Sequence, residues 1–505
     1  MELLTERHAE EIAGVLSCYD RMLIQGTLPG LCYAQGMTGY LNAQHIRIFD
    51  YPRWAQALRE RLRENAERLA AEHGLEIQFI RKRNFRKEDR VQEILRQRGD
   101  HPGLVCIFSV LEPCVSYQPW HDKKTGKTFL RPDDGKCLHY YFYFIDEELG
   151  LCFVRVPTWC PFRLQVYLNG HQALAAQLRR LHIPFTLLDN AFTQIADWSQ
   201  AQHLADAWSP AQIHSKLDQF ARRYCPVIAD LEVGYHWTLD QAEYATDIVF
   251  HRRADLQAFY EHLTRTAIHA IKPEHVATFL GKKLHPRFQD ELGSRLDLRI
   301  QGTRIKHLMG PVSLKMYDKF GLILRLEVTV NDVSFFPHYR EVEHRDGTRV
   351  TKWTRMKKSL YSLPALREAL GAANRRYLEF LSTLDDPQVG VAKLRKLSQT
   401  VTEHERSYRG FNLCDEEDQR LMQALARGEF NIRGLQNRTL REHLSEKSPN
   451  QVSRLLKRLR LHGFVKKVGR TYRYYLTHFG KEVITTALKL RELVLIPQLA
   501  FSPTS

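Results

Sequence analysis

The chain has 505 residues, 43% hydrophobic and 26% charged, a composition that excludes a largely disordered chain, a collagen-like fibre and an acidic solvating tail. Its 74 Lys and Arg exceed its 58 Asp and Glu, so the formal net charge is +16. This basic excess predicts a polyanionic partner, most often nucleic acid, and the length predicts about three domains.

The cysteines and the chain start indicate the compartment. Nine cysteines are scattered without any C-x-x-C pair, which is typical of free thiols in a reducing environment. Residues 1–11 carry four acids and no apolar stretch of signal-peptide length, and no apolar run approaches a membrane span. We therefore expect a cytoplasmic, nucleoid-associated protein without membrane contact.

Residues 1–100 are predicted to form a helical, basic region. Apolar residues spaced at helical intervals over residues 54–73 give an amphipathic stripe that ends near Gly74. Six cations then occur in residues 81–90, beginning with Arg81, Lys82 and Arg83. This run is either a solvated helix start or a patch that contacts phosphates.

Residues 101–190 are predicted to form an α+β domain with a mainly antiparallel sheet. Apolar runs at 103–110, 137–145, 151–157 and 162–168 are typical of strands, and residues 171–181 of a helix. The aromatic run at 140–144 has rings on both faces, which favours burial on both sides over a surface that stacks RNA bases.

The middle of the chain is predicted to be a helical region over residues 191–295, followed by a second sheet domain with a helical connector over 296–405. Residues 313–317 and 322–330 flank the turn sequence DKFG and form a good β-hairpin. No internal repeat stands out.

Residues 410–505 predict a winged helix-turn-helix: three helices, a basic β-hairpin around residues 469–471, and a last helix. Nine Lys and Arg and no acid occur between Lys447 and Arg473. The run QVSRLLKRLRLHGFVKKVGRTYRYYLTHFG resembles the winged-helix domains of the MarR type, and the resemblance implies DNA binding.

The charged and amide side chains of this domain are the predicted DNA contacts. The third helix turns its apolar residues inward, so its other side chains face out, where amides and guanidinium groups can read base edges and cations on the wing can contact phosphates. These are Asn450, Gln451, Ser453, Arg454, Lys457 and Arg458 on the helix, and Lys466, Lys467, Arg470 and Arg473 on the wing.

The hairpin at 313–330 carries the leading catalytic hypothesis. Alternation along both strands predicts that Lys315, Tyr317, Arg325 and Glu327 converge on one polar face. A tyrosine beside cations suits a nucleophile that forms a phosphotyrosine. The run SLKMYDKFGLILRLEVTV looks like the YDK and R-x-E strand pair of phage and plasmid replication initiators, which implies DNA nicking. An exposed hairpin with ordinary cross-strand ion pairs is the alternative.

A divalent metal, Mg²⁺ or Mn²⁺, is the predicted cofactor, with two alternative ligand sets. Rolling-circle initiators usually carry two histidines at i, i+2 on a strand, and here only His139 lies on such a strand, with His121 as a distant candidate. The other set is Glu112, Asp146 and Asp189 at strand ends, as in RNase H-like transposases.

Together these features predict an α+β, multi-domain DNA-binding protein of a mobile element or plasmid that nicks DNA or transfers strands. The alternatives are a metal-dependent transposase or nuclease of the RNase H type, a non-enzymatic winged-helix regulator, and an RNA-binding protein. The oligomeric state stays open, with a dimer as one option.

Overall fold

The computed structural model of the protein describes residues 2–82, 84–284, 292–299, 302–385, 388–469 and 471–500. The chain divides into two compact units, Met1–Asp385 and Asp386–Ser505. Each unit buries a hydrophobic cluster of its own.

The first unit combines strands and helices along its whole length. Its strands are β1 (Ile12–Thr27), β2 (Ile77–Phe79), β3 (Gly103–Asp122), β4 (Lys127–Asp146), β5 (Gly150–Pro157), β6 (Leu164–Asn169), β7 (Phe185–Leu188), β8 (Ala191–Ile195), β9 (His236–Phe250), β10 (Leu292–Arg299), β11 (Gly302–Met309), β12 (Val312–Lys319), β13 (Ile323–Val330), β14 (Pro337–Glu343) and β15 (Arg349–Arg355). Its helices are α1 (Leu4–Arg7), α2 (Ala34–Ala43), α3 (Tyr51–Glu72), α4 (Lys87–Arg98), α5 (Gly170–Arg180), α6 (Trp198–Asp206), α7 (Pro210–Tyr224), α8 (Arg253–Ala270), α9 (Pro273–Phe279) and α10 (Leu363–Asp385).

Eleven strands form one sheet in the order β10-β11-β12-β13-β9-β1-β6-β5-β4-β3-β2. The β2–β3 pair is parallel and the other pairs in the sheet are antiparallel. The predicted α+β class with a mainly antiparallel sheet is therefore confirmed. Strands from both predicted sheet regions, 101–190 and 296–405, lie in this one sheet.

The sheet contains a repeat of topology that the sequence did not reveal. In one half, β3 to β6 form a meander whose last strand pairs with β1. In the other half, β10 to β13 form a meander whose last strand pairs with β9. The single strands β1 and β9 pair with each other and join the halves. Strand order depends on pairing rather than on residue identity, so the halves share a layout without a visible sequence repeat.

The two central strands correct the sequence prediction. Residues 1–100 and 191–295 were predicted to be helical regions, but β1 and β9 lie within them. Helices α3, α7, α8 and α10 pack their apolar residues against one face of the sheet in the main core. A strand buried on both faces is a nearly continuous apolar run, and such a run does not distinguish strand from helix by periodicity.

The elements of the second unit are helices and two antiparallel hairpins. They are α11 (Gln388–Ser398), β16 (Val401–Glu403), β17 (Arg406–Tyr408), α12 (Glu416–Leu425), α13 (Gly428–Arg433), α14 (Asn437–Glu442), α15 (Pro449–Leu461), β18 (Val465–Lys467), β19 (Tyr474–Leu476), α16 (His478–Lys489) and α17 (Ile496–Ala500). Ser448 caps α15 by accepting from the Gln451 amide, and Pro449 occupies the first turn. Strands β18 and β19 pair as an antiparallel hairpin.

Across the described ranges, none of the helices has the length and apolar character needed to cross a bilayer.

Candidate active site at the centre of the sheet

The β12–β13 hairpin brings the predicted catalytic residues together. In its register Lys315 lies opposite Glu327 and Tyr317 lies opposite Arg325. Cross-strand partners point to the same face, so all four side chains share one side of the sheet. The alternating residues Leu314 and Met316 are buried in the main core on the other side. The predicted convergence of the four residues is confirmed.

Glu327 is the residue that joins Tyr317 and Lys315. The Tyr317 hydroxyl donates to Glu327 Oε2 at 2.6 Å, and the Lys315 ammonium donates to Glu327 Oε1. Burial, followed by the negative charge of Glu327, raises the pKa of Tyr317 well above its ordinary value. The phenol is therefore a neutral donor at rest, with a carboxylate in place to accept its proton.

Three further acids of this face come from β1 and β9. Strand β9 is the neighbour of β13, and on it Glu243 lies opposite Thr329 and Asp247 lies opposite Arg325. On β1 the register with β9 shifts between Tyr19 and Met22, and Asp20 lies in this irregular stretch. Bulges of this kind re-aim side chains.

Sequence reasoning missed Asp20, Glu243 and Asp247 because their strands were predicted as helical regions. A signal was nevertheless present. Asp20 interrupts the apolar run LSCYDRMLI, and Asp247 interrupts YATDIVF. A carboxylate inside an otherwise buried strand requires a partner, since an unpaired buried charge is costly.

Arg325 is that partner for both aspartates. Its side chain is 0% exposed, and it donates to Asp247 at 2.6 and 2.7 Å and to Asp20 at 3.3 Å. It also donates to the Asn190 carbonyl at 2.7 Å. Arg325 was predicted to lie on the polar face as a cation beside Tyr317 that suits a phosphotyrosine; in the structure its guanidinium is buried and engaged by these acceptors.

The electrostatics of the aspartates follow from this network. Burial alone would raise the pKa of Asp247, but Arg325 and His171 stabilise the carboxylate and lower the pKa to about 2. Burial opposes Arg325 and His171 at Asp20 as well, and its pKa also lies below the ordinary range. His171 lies between them, 3.0 Å from Asp20 Oδ1 and 3.4 Å from Asp247 Oδ2.

A candidate metal site is formed by Asp20, Glu243 and Glu327, each of which places a carboxylate oxygen within 4.8 Å of the others. Burial and the neighbouring charge of Glu327 raise the pKa of Glu243, so a cation between the acids would relieve their repulsion. Lys315 already supplies one positive charge there, 3.8 Å from Glu243. Hard carboxylate oxygens are the ligands that Mg²⁺ and Mn²⁺ prefer.

The predicted carboxylate set of Glu112, Asp146 and Asp189 is not brought together as a metal-binding group among the described residues. Glu112 accepts from Tyr141 at 2.9 Å and from Arg155 at 2.9 Å. Asp146 caps the β4–β5 turn by accepting from two backbone amides. Both acids have local structural partners, as is ordinary at strand ends and turns.

The two predicted metal histidines lie far apart. His139 is buried beside Cys137, whereas His121 is exposed and contacts Thr128. In the β3–β4 register His139 pairs with Val110, eleven residues along β3 from His121. At about 3.3 Å per residue this separation is roughly 36 Å, so they cannot share a metal.

Most of the predicted DNA contacts of the second unit are at its surface. Lys457 and Ser453 have partners there: Lys457 pairs with Glu403 at 2.8 Å, and Ser453 accepts from Asn437. The Gln451 side chain accepts from the Ser448 amide. The exposed residues are Asn450, Gln451, Ser453 and Arg454 on α15, and Lys466, Lys467 and Arg473 on and beside the hairpin.

Arg458 corrects the predicted outward face of α15. It is 6% exposed and donates to both oxygens of Asp418 on α12, at 2.7 and 2.9 Å. It also donates to the Arg409 and Gly410 carbonyls. A helix packed by neighbours on more than one side buries residues that periodicity places outside, and Arg458 is one of them.

The remaining predicted cations lie on loops. Arg81 and Lys82 are exposed between β2 and α4, and Arg81 lies over the ring of Phe79. Arg83 and Arg470 lie outside the described residues.

No family model matches the chain, and no curated protein matches it. Among solved structures the chain is similar to the rolling circle replication initiator protein from Geobacillus stearothermophilus, with 8% sequence identity and a TM-score of 0.19. That match covers 63% of this chain and 75% of the other. Because values this low establish neither a common fold nor a common activity, the chemistry has to follow from the residues themselves.

Proposed function

We propose that this protein is a metal-dependent DNA-nicking enzyme of the replication-initiator kind, with Tyr317 as its nucleophile. The observation that carries the proposal is the 2.6 Å hydrogen bond from the Tyr317 hydroxyl to Glu327, beside two further carboxylates. A nucleophile, a base within hydrogen-bond reach and a cation site are the parts that phosphoryl transfer to a side chain requires.

In the proposed step the Tyr317 oxygen attacks a phosphodiester phosphorus while its proton passes to Glu327. The new bond is a phosphotyrosine ester, and the bond that breaks joins phosphorus to one deoxyribose oxygen. That oxygen takes up a proton from solvent and leaves as a free hydroxyl, and because one phosphate ester replaces another, the energy of the phosphodiester is kept in the adduct. The protonation of Glu327 balances the loss from Tyr317.

Two lysines on β12 flank the phenol and suit a phosphate there. Lys315 and Lys319 lie two residues before and after Tyr317, hence on the same face. Burial, followed by the charge of Arg325, lowers the pKa of Lys319, whose nearest acid is Asp189 at 3.6 Å. An anionic phosphate between the two ammonium groups would stabilise their charged forms. Lys319 is a further contact that the sequence reading did not single out.

A divalent cation held by Asp20, Glu243 and Glu327 would supply Lewis-acid stabilisation of the phosphate oxygens. The residues fit such an ion because they offer three oxygen donors, one of which, Glu243, is destabilised without a cation. Arg325 acts as a positioning residue, since it holds Asp20 and Asp247 without an atom free for substrate.

We further propose that the second unit binds duplex DNA through α15 and the β18–β19 hairpin. Arg454, exposed on α15, is the side chain best placed to read a base edge. Replacing Arg454 with alanine should weaken binding by about 1–3 kcal/mol and relax discrimination at the contacted base. Arg460→Ala is the matched control, because Arg460 pairs with Glu403 at 3.1 Å. Equal losses in both variants would contradict this placement.

The nicking proposal is tested by incubating the full chain with labelled single-stranded DNA of random sequence or supercoiled plasmid and Mg²⁺ or Mn²⁺. The wild type should form a covalent adduct that survives a denaturing gel, and Tyr317→Phe should form none. Tyr33→Phe, at an exposed tyrosine immediately before α2, is the control and should react like the wild type. Adducts in Tyr317→Phe, or none in the wild type with either metal, would overturn the proposal.

A further inference from the structure

The β14–β15 hairpin presents two aromatic rings to solvent. Tyr339 and Trp353 are cross-strand partners with ring centroids 5.4 Å apart. They are 56% and 69% exposed, so more than half of each residue's surface remains open. The hairpin forms a two-stranded sheet separate from the central one. A pair of large rings left in water on such an element is a common feature of binding surfaces.

Cations line a groove that includes Trp353. Trp353 and Arg355 line a groove of about 610 Å³ together with Lys282, Lys283 and Phe335. The Lys282 ammonium lies 4.7 Å from the centroid of the Phe335 ring. Burial and the charge of Arg355 lower the pKa of Lys282, as expected for cations held together.

The acid of this groove is already engaged. Asp332 lines the groove and pairs with Lys358 at 3.3 Å. Among the residues that the structure describes, Lys282, Lys283 and Arg355 form no ion pair, in contrast to Lys358. The groove therefore carries excess positive charge directly beside an exposed aromatic pair.

We propose that this hairpin and groove bind single-stranded nucleic acid. One or two bases stack on Trp353 and Tyr339, and the adjoining phosphates contact Lys282, Lys283 and Arg355. Stacking requires exposed base faces, which a duplex conceals, so the site selects unpaired strands. Trp, Tyr and Arg are also enriched in protein interfaces, but lysine is depleted there, so the two adjacent lysines favour a polyanion over a protein partner. The inference goes beyond the nicking reaction and requires neither Tyr317 nor a metal.

The test uses the full chain and a fifteen-nucleotide oligothymidine with one 5-iododeoxyuridine, in EDTA and an excess of unlabelled duplex. Irradiation should cross-link the probe to the peptide that contains Tyr339 or Trp353. Trp353→Ala should weaken binding about tenfold, in line with the loss of one stacked base. Lys282→Ala combined with Arg355→Ala should weaken binding and flatten its salt dependence, with a slope change of about 0.7 per lost phosphate contact.

Control variants distinguish a loss of base stacking from a structural effect of the substitution. Trp353→Phe should keep most of the affinity, because it keeps a ring. Thr351→Ala on the same face and Phe49→Ala, at a 62% exposed ring elsewhere, should bind like the wild type. Unchanged affinity in Trp353→Ala with no cross-link in residues 337–355 would overturn the proposal. So would a loss of self-association in Trp353→Ala without a change in oligonucleotide binding, since the face would then be a contact between copies.

Discussion

The two halves of the central sheet share a strand layout and differ in what they place on one face. Phe153 and Tyr167 are cross-strand partners on β5 and β6, and their stacked rings lie 5.1 Å apart. Tyr317 and Arg325 are partners on β12 and β13. Rings on β3, β4 and β5 pack with α4, whereas β12 and β13 carry charged groups on this face. One topology thus supports a hydrophobic core in one half and a polar site in the other.

Each half also contains a tyrosine that is hydrogen-bonded to a glutamate, so the two pairs can be compared directly. Tyr141 donates to Glu112, which Arg155 and Lys87 neutralise. Tyr317 donates to Glu327, which has two more acids nearby. A glutamate balanced by two cations has no charge left for a metal. The number of surrounding acids, rather than the Tyr–Glu pair itself, therefore distinguishes the proposed active site.

The largest expected effect comes from breaking the buried Arg325 network. It lies in the half of the sheet that contains β12 and β13, which we call the charged half. Arg325→Met should lower the free energy of unfolding by about 3–5 kcal/mol, because Asp20 and Asp247 are left buried without their cation. Arg155→Met in the other half should cost well under 2 kcal/mol, since that pair is partly solvated. Urea unfolding measures the free energy of unfolding of both variants, and similar losses would contradict the proposed difference between the halves.

The second largest difference between the two halves should be in metal binding. Saturating Mn²⁺, at about a hundred times its Kd, should stabilise the wild type by roughly 2.7 kcal/mol in thermal unfolding. Glu243→Gln should lose most of this gain, because one of three ligands is removed. Glu112→Gln should retain it. A gain of equal size in Glu243→Gln would rule out the carboxylate site.

Acid should destabilise the charged half at a defined pH. The folded pKa of Asp247 is about 2, below its unfolded value of about 3.9. Its carboxylate therefore contributes roughly 2 kcal/mol that is fully present above pH 4 and is lost as the pH falls from about 4 to about 2. Asp247→Asn should show a flatter decline over that interval in urea unfolding monitored by circular dichroism. A decline as steep as in the wild type would refute this assignment.

The smallest expected effect is at Tyr141. Tyr141→Phe removes a hydrogen bond to a glutamate that two cations still balance, so the loss of stability should be about 1 kcal/mol. Adduct formation with DNA should be unchanged, in contrast to Tyr317→Phe. If Tyr141→Phe also abolished the adduct, the two Tyr–Glu pairs would have to act together.

Local patterns in the sequence determined much of the fold and part of the site. Period-two alternation in 313–330 placed Lys315, Tyr317, Arg325 and Glu327 on one face, because strand geometry alone sets that face. The Ser448–Pro449 start of α15 and the hairpin after it could also be predicted from the sequence, since caps and turns depend on neighbouring residues. The aromatic run 140–144 was correctly predicted to be buried on both sides.

Only the tertiary structure decided which distant residues complete the site. Asp20 lies 223 residues before Glu243, which lies 84 residues before Glu327. The three meet because β1, β9 and β13 are neighbours in the sheet. Pairing order depends on long-range contacts that no local period encodes. The same holds for Arg325 and Arg458, since a polar position in a pattern does not reveal whether a carboxylate from another element will cover it. The sequence alone thus determined the local faces, and the packing of remote strands and helices decided which of those faces remain open.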